Sequence, residues 1–220
     1  MPRMTSALKI DFVSDVACPW CAVGLSSLEQ ALQRMGDVKT ELHFQPFELN
    51  PSMGPEGQDI TEHLSQKYGS TAEQQAANWQ AIRERGQTVG FDFRKEGRGR
   101  VWNTFDAHRL LHWAGSLPGD AQHKLKKSLL RAYFTEATNV SDAQVLLAAV
   151  DRAGLDRARA QAILETGEFA REVREQEAHW QQLGIRAVPS VVINGRHLIQ
   201  GGQPPEVFEQ ALRQIAAQPA

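Results

Sequence analysis

Hydrophobic and polar positions follow two rhythms along this chain, and the rhythm changes twice. Leu8-Lys9-Ile10-Asp11-Phe12-Val13 is a short run of strand formers, after which Leu25, Leu28, Leu32 and Met35 recur at helical spacing. A second strand is predicted over Thr40 to Leu49, carrying Leu42, Phe44 and Phe47 around Pro46. It would run parallel to the first, with the helix as a right-handed crossover. Asn50 to Asp59, with Pro51, Gly54, Pro55 and Gly57, has the composition of a loop. From Thr61 to Leu183 the pattern is almost entirely helical. There, Ser141-Asp142-Ala143-Gln144 forms a capping box ahead of Val145, Leu146, Ala149 and Val150, and Gly154 is placed to end that helix. Leu125, Leu129, Leu130, Tyr133 and Phe134 make one apolar face; Phe169, Val173 and Trp180 make another that ends at Gly184. Such stripes are packing faces. Arg94 to Arg100, with Gly97 and Gly99 among charges, is expected to be a loop between helices.

Strand character returns at Val188-Pro189-Ser190-Val191-Val192-Ile193, followed by Asn194-Gly195 and then Arg196 to Gln200. An Asn-Gly pair between two β-rich runs signals a hairpin. A last helix, from Pro205 to Ala217, would bury Val207, Phe208, Leu212 and Ile215. Removing the helical block leaves β-α-β followed by β-β-α, a small mixed sheet flanked by helices. The fold class is therefore α/β with a large all-helical insertion: residues 1–60 and 184–220 form one part and residues 61–183 the other.

At 220 residues the chain can bury a sizeable core without covalent staples. Its 24 basic residues are interleaved with 26 acidic ones, for a net charge of −2, so there is no electrostatic footprint for nucleic acid. Met1 to Ala7 lead straight into the first strand, with no apolar stretch long enough for a signal peptide or a membrane span. A cytoplasmic protein without a membrane partner is expected.

Chemistry enters with the two cysteines, Cys18 and Cys21, the only ones in the chain, in the motif Cys18-Pro19-Trp20-Cys21 between the first strand and the first helix. With Pro19 at the first helical position, Cys18 falls at the N-cap and Cys21 at the third helical residue. The unpaired N–H groups of the first turn and the positive end of the helix dipole both stabilise a thiolate at Cys18. Such settings lower a thiol pKa from roughly 8.5 to between about 3.5 and 7.5. Cys18 is expected to be the exposed nucleophile, and Cys21, facing the core, the resolving thiol. A structural zinc would need four ligands, and no third cysteine exists. Dithiol/disulfide redox chemistry is thus the expected function, with no metal and no cofactor beyond the cysteine pair. Trp20 should stand exposed between the cysteines. Asp11, within the first strand, is a candidate buried carboxylate for proton transfer to Cys21 and is not counted among the catalytic residues.

These residues resemble the thioredoxin superfamily, and more narrowly its DsbA-like members with a helical domain between the two halves of the sheet. The likeness is most specific at Asp15-Val16-Ala17-Cys18-Pro19-Trp20-Cys21, at Ala187-Val188-Pro189-Ser190 and at Ile199-Gln200-Gly201-Gly202-Gln203-Pro204. These segments, and Asn103-Thr104-Phe105-Asp106-Ala107-His108-Arg109-Leu110, look like the FrnE-like branch of soluble dithiol-disulfide oxidoreductases or isomerases. The resemblance implies a cis Pro189 facing the Cys18 sulfur, with the Val188 backbone pairing with an extended substrate. It implies a disulfide or dithiol substrate, protein or small molecule, and glutathione or a thioredoxin-type protein as candidate electron partner. Trp102, Asn103 and His108 are candidate groove residues on the insertion, which would select substrates without performing chemistry. Two alternatives remain. A glutathione-dependent transferase or isomerase of the kappa-like branch would put serine where Cys18 stands and a Ser-Asp-Arg type sequence where Gly202-Gln203-Pro204 stand. A non-enzymatic binding module or holdase would leave the cysteine motif without a purpose.

Overall fold

A computed structural model describes residues 7–36 and 38–218, so the expectation for the extreme N-terminus ahead of Ala7 falls outside the described residues. The first half is β1 (Leu8–Ser14), α1 (Pro19–Arg34) and β2 (Thr40–Pro46), with β1 and β2 parallel in the register Ile10↔Leu42 and Phe12↔Phe44. Pro46 closes the ladder, so the second strand stops three residues short of the predicted Leu49. The expected loop that follows ends in β3 (Gln58–Asp59), and the helical block opens with α2 (Ile60–Tyr68) and α3 (Ala72–Thr88). β4 (Arg100–Val101) pairs antiparallel with β3 in a separate two-stranded ribbon. That ribbon has no sequence signature, because two residues are too few to show alternation.

The block continues with α4 (Phe105–Gly115), α5 (Ala121–Phe134), α6 (Ala143–Arg152), α7 (Arg157–Thr166) and α8 (Ala170–Gln182). Two local expectations shift. The cap of α6 is Asp142, whose carboxylate accepts from the N–H groups of Gln144 and Val145, while Ser141 turns to Asn139. Phe169 precedes α8 as its N-cap, in left-handed conformation at φ 66°, rather than lying on its buried face. The chain then returns through β5 (Ser190–Ile193), β6 (His197–Gln200) and α9 (Pro205–Ala216). Asn194 and Gly195 both have positive φ, at 53° and 66°, the geometry of a two-residue type I′ hairpin. Val207, predicted to be buried, is 40% exposed, while Phe208, Leu212 and Ile215 carry the inner face of α9.

The sheet order is β2-β1-β5-β6, with β1 parallel to β2 and antiparallel to β5. This is the thioredoxin-like arrangement with a helical insertion, joining as neighbours two strands separated by the whole helical block. α1 packs with α9, while α4, α5 and α8 pack on β2. One apolar core therefore runs from Ile10, Phe12 and Leu28 into Leu110, Leu129, Tyr133 and Leu146 of the helical part. That continuity fixes the insertion against the sheet beside the cysteines.

Candidate functional site

Cys18 is the N-cap residue of α1, with extended backbone at φ −95° and ψ 114°, and Pro19 opens the helix. The local sequence requires this break: Pro19 has no N–H to give and disfavours a helical conformation in the residue before it. Both cysteines are free thiols. The Cys21 N–H donates to the Cys18 carbonyl at 3.0 Å, and the Cys18 side chain makes no capping bond, so the helix end acts on the sulfur electrostatically. Cys18 is only 4% exposed, contrary to the exposed nucleophile expected of an N-cap residue. Its thiol donates to the carbonyl of Val188 at 3.6 Å, so the returning chain covers it. Trp20, between the cysteines, is 40% exposed.

The two thiols are pushed in opposite directions. A hydrogen bond from the Cys21 thiol lowers the Cys18 pKa against burial, helped by the Cys21 N–H and the Arg98 charge and opposed by Asp15. Burial pushes Cys21 well up, reinforced by the hydrogen bond and charge of Cys18, while Lys126 opposes. Thiolate character is thereby concentrated on Cys18.

The Val188–Pro189 peptide is cis. Close approach of this segment to α1 depends on missing side chains: a Cβ on Gly24 would stand 3.0 Å from Pro189 Cγ, and one on Gly202 3.1 Å from the Trp20 carbonyl oxygen. The Pro189 carbonyl accepts from Gly201 N at 2.8 Å.

Behind the cysteines lies a buried carboxylate that sequence reasoning placed in the motif without a role. Asp15 Oδ1 accepts from Ala17 N at 3.2 Å and lies 3.3 Å from His108 Nε2; Oδ2 accepts from Leu49 N at 2.7 Å. Complete burial pushes its pKa up, but His108, the Leu49 N–H and the Thr104 side chain hold it below the usual carboxylate range. Asp11, by contrast, is turned to Gln45 Nε2 at 2.6 Å and to Lys9 at 3.3 Å. His108 is 2% exposed, so it faces Asp15 in the interior and is not a groove residue.

Two cations from the helical part act on this centre through their charge. Arg98, in the glycine-containing loop before β4, donates to the Ala17 carbonyl at 2.8 Å while its guanidinium covers the rings of Tyr133 and Phe134. Lys126 of α5 is 1% exposed. A signal for Lys126 existed, since it shares the inner face of its helix with Leu130 and Tyr133 at spacings of four and seven. Arg98 offered none.

From Leu49, whose N–H Asp15 holds, a cleft of about 620 Å³ opens, walled by Leu49 to Gly54, Gln58, His63 and Lys67. The Lys67 ammonium donates to the Leu49 carbonyl at 2.8 Å and Asn50 Oδ1 at 2.7 Å. Trp102 and Asn103 stand behind this wall. Trp102 packs on Gly57 under the Arg100 guanidinium, and the Asn103 amide donates to the Met53 carbonyl at 2.9 Å. Among the described residues no cluster of three metal-ligating side chains is present, and no helix is long and apolar enough to cross a membrane.

A family model for the DSBA-like thioredoxin domain matches residues 9–213. The crystal structure of a probable DsbA oxidoreductase from Streptomyces coelicolor superposes with a TM-score of 0.87 at 33% identity, over 97% of this chain and 92% of that one. The uncharacterized protein YwbO of Bacillus subtilis strain 168 is 28% identical over 210 residues, 95% of this chain and 96% of that protein. The fold is also that of the cytosolic disulfide reductase DsbM from Pseudomonas aeruginosa, determined with GSH. The TM-score there is 0.65 at 18% identity, over 96% of this chain and 100% of that one.

Proposed function

The chain belongs to the DsbA-like thioredoxin-domain family, and from that premise we propose that it is a thiol-disulfide oxidoreductase working through Cys18 and Cys21, in the FrnE-like branch. The observation that carries this reading is the asymmetry of the two free thiols at the start of α1, one pKa lowered and the other raised by the surroundings. Cys18 thiolate attacks a substrate disulfide, forming a Cys18–substrate bond and releasing one substrate thiolate. Cys21 then attacks Cys18 Sγ, forming the internal disulfide and releasing the second thiolate. Run in reverse, the same steps oxidise a dithiol; isomerisation of a protein disulfide uses only the first step, after which another substrate thiolate displaces Cys18 from the mixed disulfide.

Substrate binding is proposed along the Val188–Pro189 segment and the neighbouring cleft. An extended chain pairing with the Val188 backbone would take the place of the Cys18–Val188 bond, freeing the sulfur and bringing a substrate sulfur to it. Pro19, Trp20 and Pro189 shape the approach. No further cofactor is invoked. Glutathione is the proposed small-thiol partner, and the determination of the fold neighbour DsbM with GSH supports it. A cytoplasmic setting, where thiols are kept reduced, suits an enzyme resting as the dithiol.

The test is equilibration of the full chain against glutathione redox buffers, followed by acid quench, alkylation and mass mapping. A Cys18–Cys21 disulfide that forms and reduces reversibly, with Cys18 the first thiol alkylated in the reduced protein, is expected. Preferential alkylation of Cys21, or no internal disulfide under oxidising buffer, would overturn the reading.

A further inference from the structure

Charge is distributed unevenly around the cysteines. The chain holds 26 acidic residues, yet none stands between Val16 and Leu28 or between Ala178 and Pro205, the two segments that meet where Cys18 bonds to Val188. The acids that bound these segments are already engaged. Asp15 is buried and held by Ala17, Leu49 and His108. Glu29 is paired with His123 and Lys127, Glu177 with Arg174, and Glu206 with Arg34. Glu48, just beyond β2, is buried on Arg174 as well. The cleft wall sets Lys67 against Glu56 and so adds no net charge.

Two cations remain beside Cys18. Arg98, half-buried, donates to the carbonyl of Ala17, the residue before Cys18, at 2.8 Å. Arg186 comes with the returning chain, two residues ahead of Val188, whose carbonyl accepts from the Cys18 thiol at 3.6 Å. Two residues of chain span at most about 7 Å, so the long Arg186 side chain starts close to the sulfur. It is exposed, and among the described residues it makes no ion pair or hydrogen bond. Its neighbours Gln181, Gln182, Leu183 and Ala187 are uncharged. The other cation of this acid-free segment, Arg196, belongs to the hairpin at the start of β1, where the Asn194 N–H donates to the Lys9 carbonyl, whereas Cys18 follows the end of that strand.

We propose that the substrate is a small disulfide carrying carboxylate groups near its sulfurs, and that Arg186 is the residue that reads this charge. The proposal rests on the assignment of Cys18 as nucleophile and on substrate docking along the Val188 backbone. A disulfide held there lies within reach of the Arg186 guanidinium, whose planar fork of N–H donors matches a carboxylate. Arg98 is less free to do this, being tied to the Ala17 carbonyl and laid over the rings of Tyr133 and Phe134. The need for a cation follows from the chemistry. Cys18 attacks as a thiolate, so an anionic disulfide is repelled on approach unless positive charge at the entrance offsets it. Arg186 therefore acts on the first step, in which Cys18 Sγ bonds to one substrate sulfur and the other sulfur leaves as a thiolate.

The experiment uses the full chain with Cys21→Ser as parent, so that the Cys18 mixed disulfide accumulates and intact mass counts it after acid quench. Three disulfides are offered in excess at low ionic strength: dithiodipropionate, which is anionic, hydroxyethyl disulfide, which is neutral, and cystamine, which is cationic. The same thiolate attacks all three, so the ratio of rates within one protein does not depend on how far Cys18 is ionised. Differences between the leaving groups cancel when that ratio is compared across variants. An exposed ion pair contributes a factor of about two to five, and attraction of one disulfide multiplies repulsion of the other. The dithiodipropionate-to-cystamine ratio should therefore fall roughly tenfold in Arg186→Gln and roughly tenfold again in Arg186→Glu. Arg186→Lys, which keeps the charge, should hold the ratio within about twofold of the parent. High salt should shrink the parent's ratio toward that of Arg186→Gln, since at 1 M the Debye length is only about 3 Å. Hydroxyethyl disulfide should react within about twofold of the parent rate in every variant, because it carries no charge to read. A ratio in Arg186→Gln within about twofold of the parent, or an equal loss toward all three disulfides, would overturn the proposal while leaving the role of Cys18 intact. Failure of all three disulfides to form a mixed disulfide with Cys18 would instead overturn the reading on which it rests.

Discussion

Two buried carboxylates sit at the join between the sheet and the helices, and they behave in opposite ways. Asp15, behind the cysteines, is held by Ala17, Leu49 and His108, and despite complete burial its pKa is lowered. Glu48, just beyond β2, is also buried but shares the single guanidinium of Arg174 with a second carboxylate, Glu177. Burial and the neighbouring Glu177 charge push its pKa up to about 7, with Arg174 only partly opposing. One oxygen of each glutamate is left without a hydrogen-bond partner. Burial alone therefore does not set the charge of a carboxylate; the number of donors it receives does. The join carries a satisfied anion where the chemistry is and an under-satisfied one away from it.

The largest expected effect separates the two regions by function. Cys18→Ser should reduce disulfide exchange to background, and Cys21→Ser should stall as a mixed disulfide, whereas Glu48→Gln should retain activity within about twofold, because Glu48 touches neither thiol. Insulin reduction and intact-mass analysis read all three, and a Glu48→Gln enzyme as inactive as Cys18→Ser would break the comparison. His108→Ala comes next. It removes a partner from a buried carboxylate, so stability to urea should fall by about 1–3 kcal/mol at pH 7. A loss below about 0.5 kcal/mol would mean that Asp15 does not depend on His108.

Arg98→Met should raise the Cys18 pKa, since the Arg98 charge lowers it. Thiolate absorbance titration should register an upward shift, with less thiolate at a pH below the titration midpoint. No shift would place the guanidinium outside the electrostatics of the nucleophile.

The smallest effect concerns Glu48 and pH. Because its pKa is higher in the folded state than the ordinary 4.5, the folded chain binds this proton more tightly than the unfolded one. Its contribution is complete below about pH 4.5 and is lost as pH rises through about 7. Parent and Glu48→Gln should be nearly equal in stability at pH 5, and the variant should be the more stable by about 1 kcal/mol at pH 8. Parallel urea midpoints at both pH values would remove Glu48 as the source of the slope.

What the sequence settled by itself is local. Strand, helix and hairpin were legible where the signal lies within a few residues: Pro19 after Cys18, the apolar spacing along α1 and α5, and the Asn194-Gly195 turn, each written in backbone preferences that operate without partners. Burial and charge at the site were not legible, because they depend on groups far apart in the chain. Cys18 meets Val188 across 170 residues, His108 meets Asp15 across 93, and Arg174 meets Glu48 across 126. The motif Cys18-Pro19-Trp20-Cys21 thus specified which atoms can exchange, and tertiary structure decided how deeply they are buried, which carboxylate stands behind them and which cations reach them. Electrostatic energies in a low-dielectric interior depend on distance and on solvent exclusion, quantities fixed only when the helical block closes over the sheet.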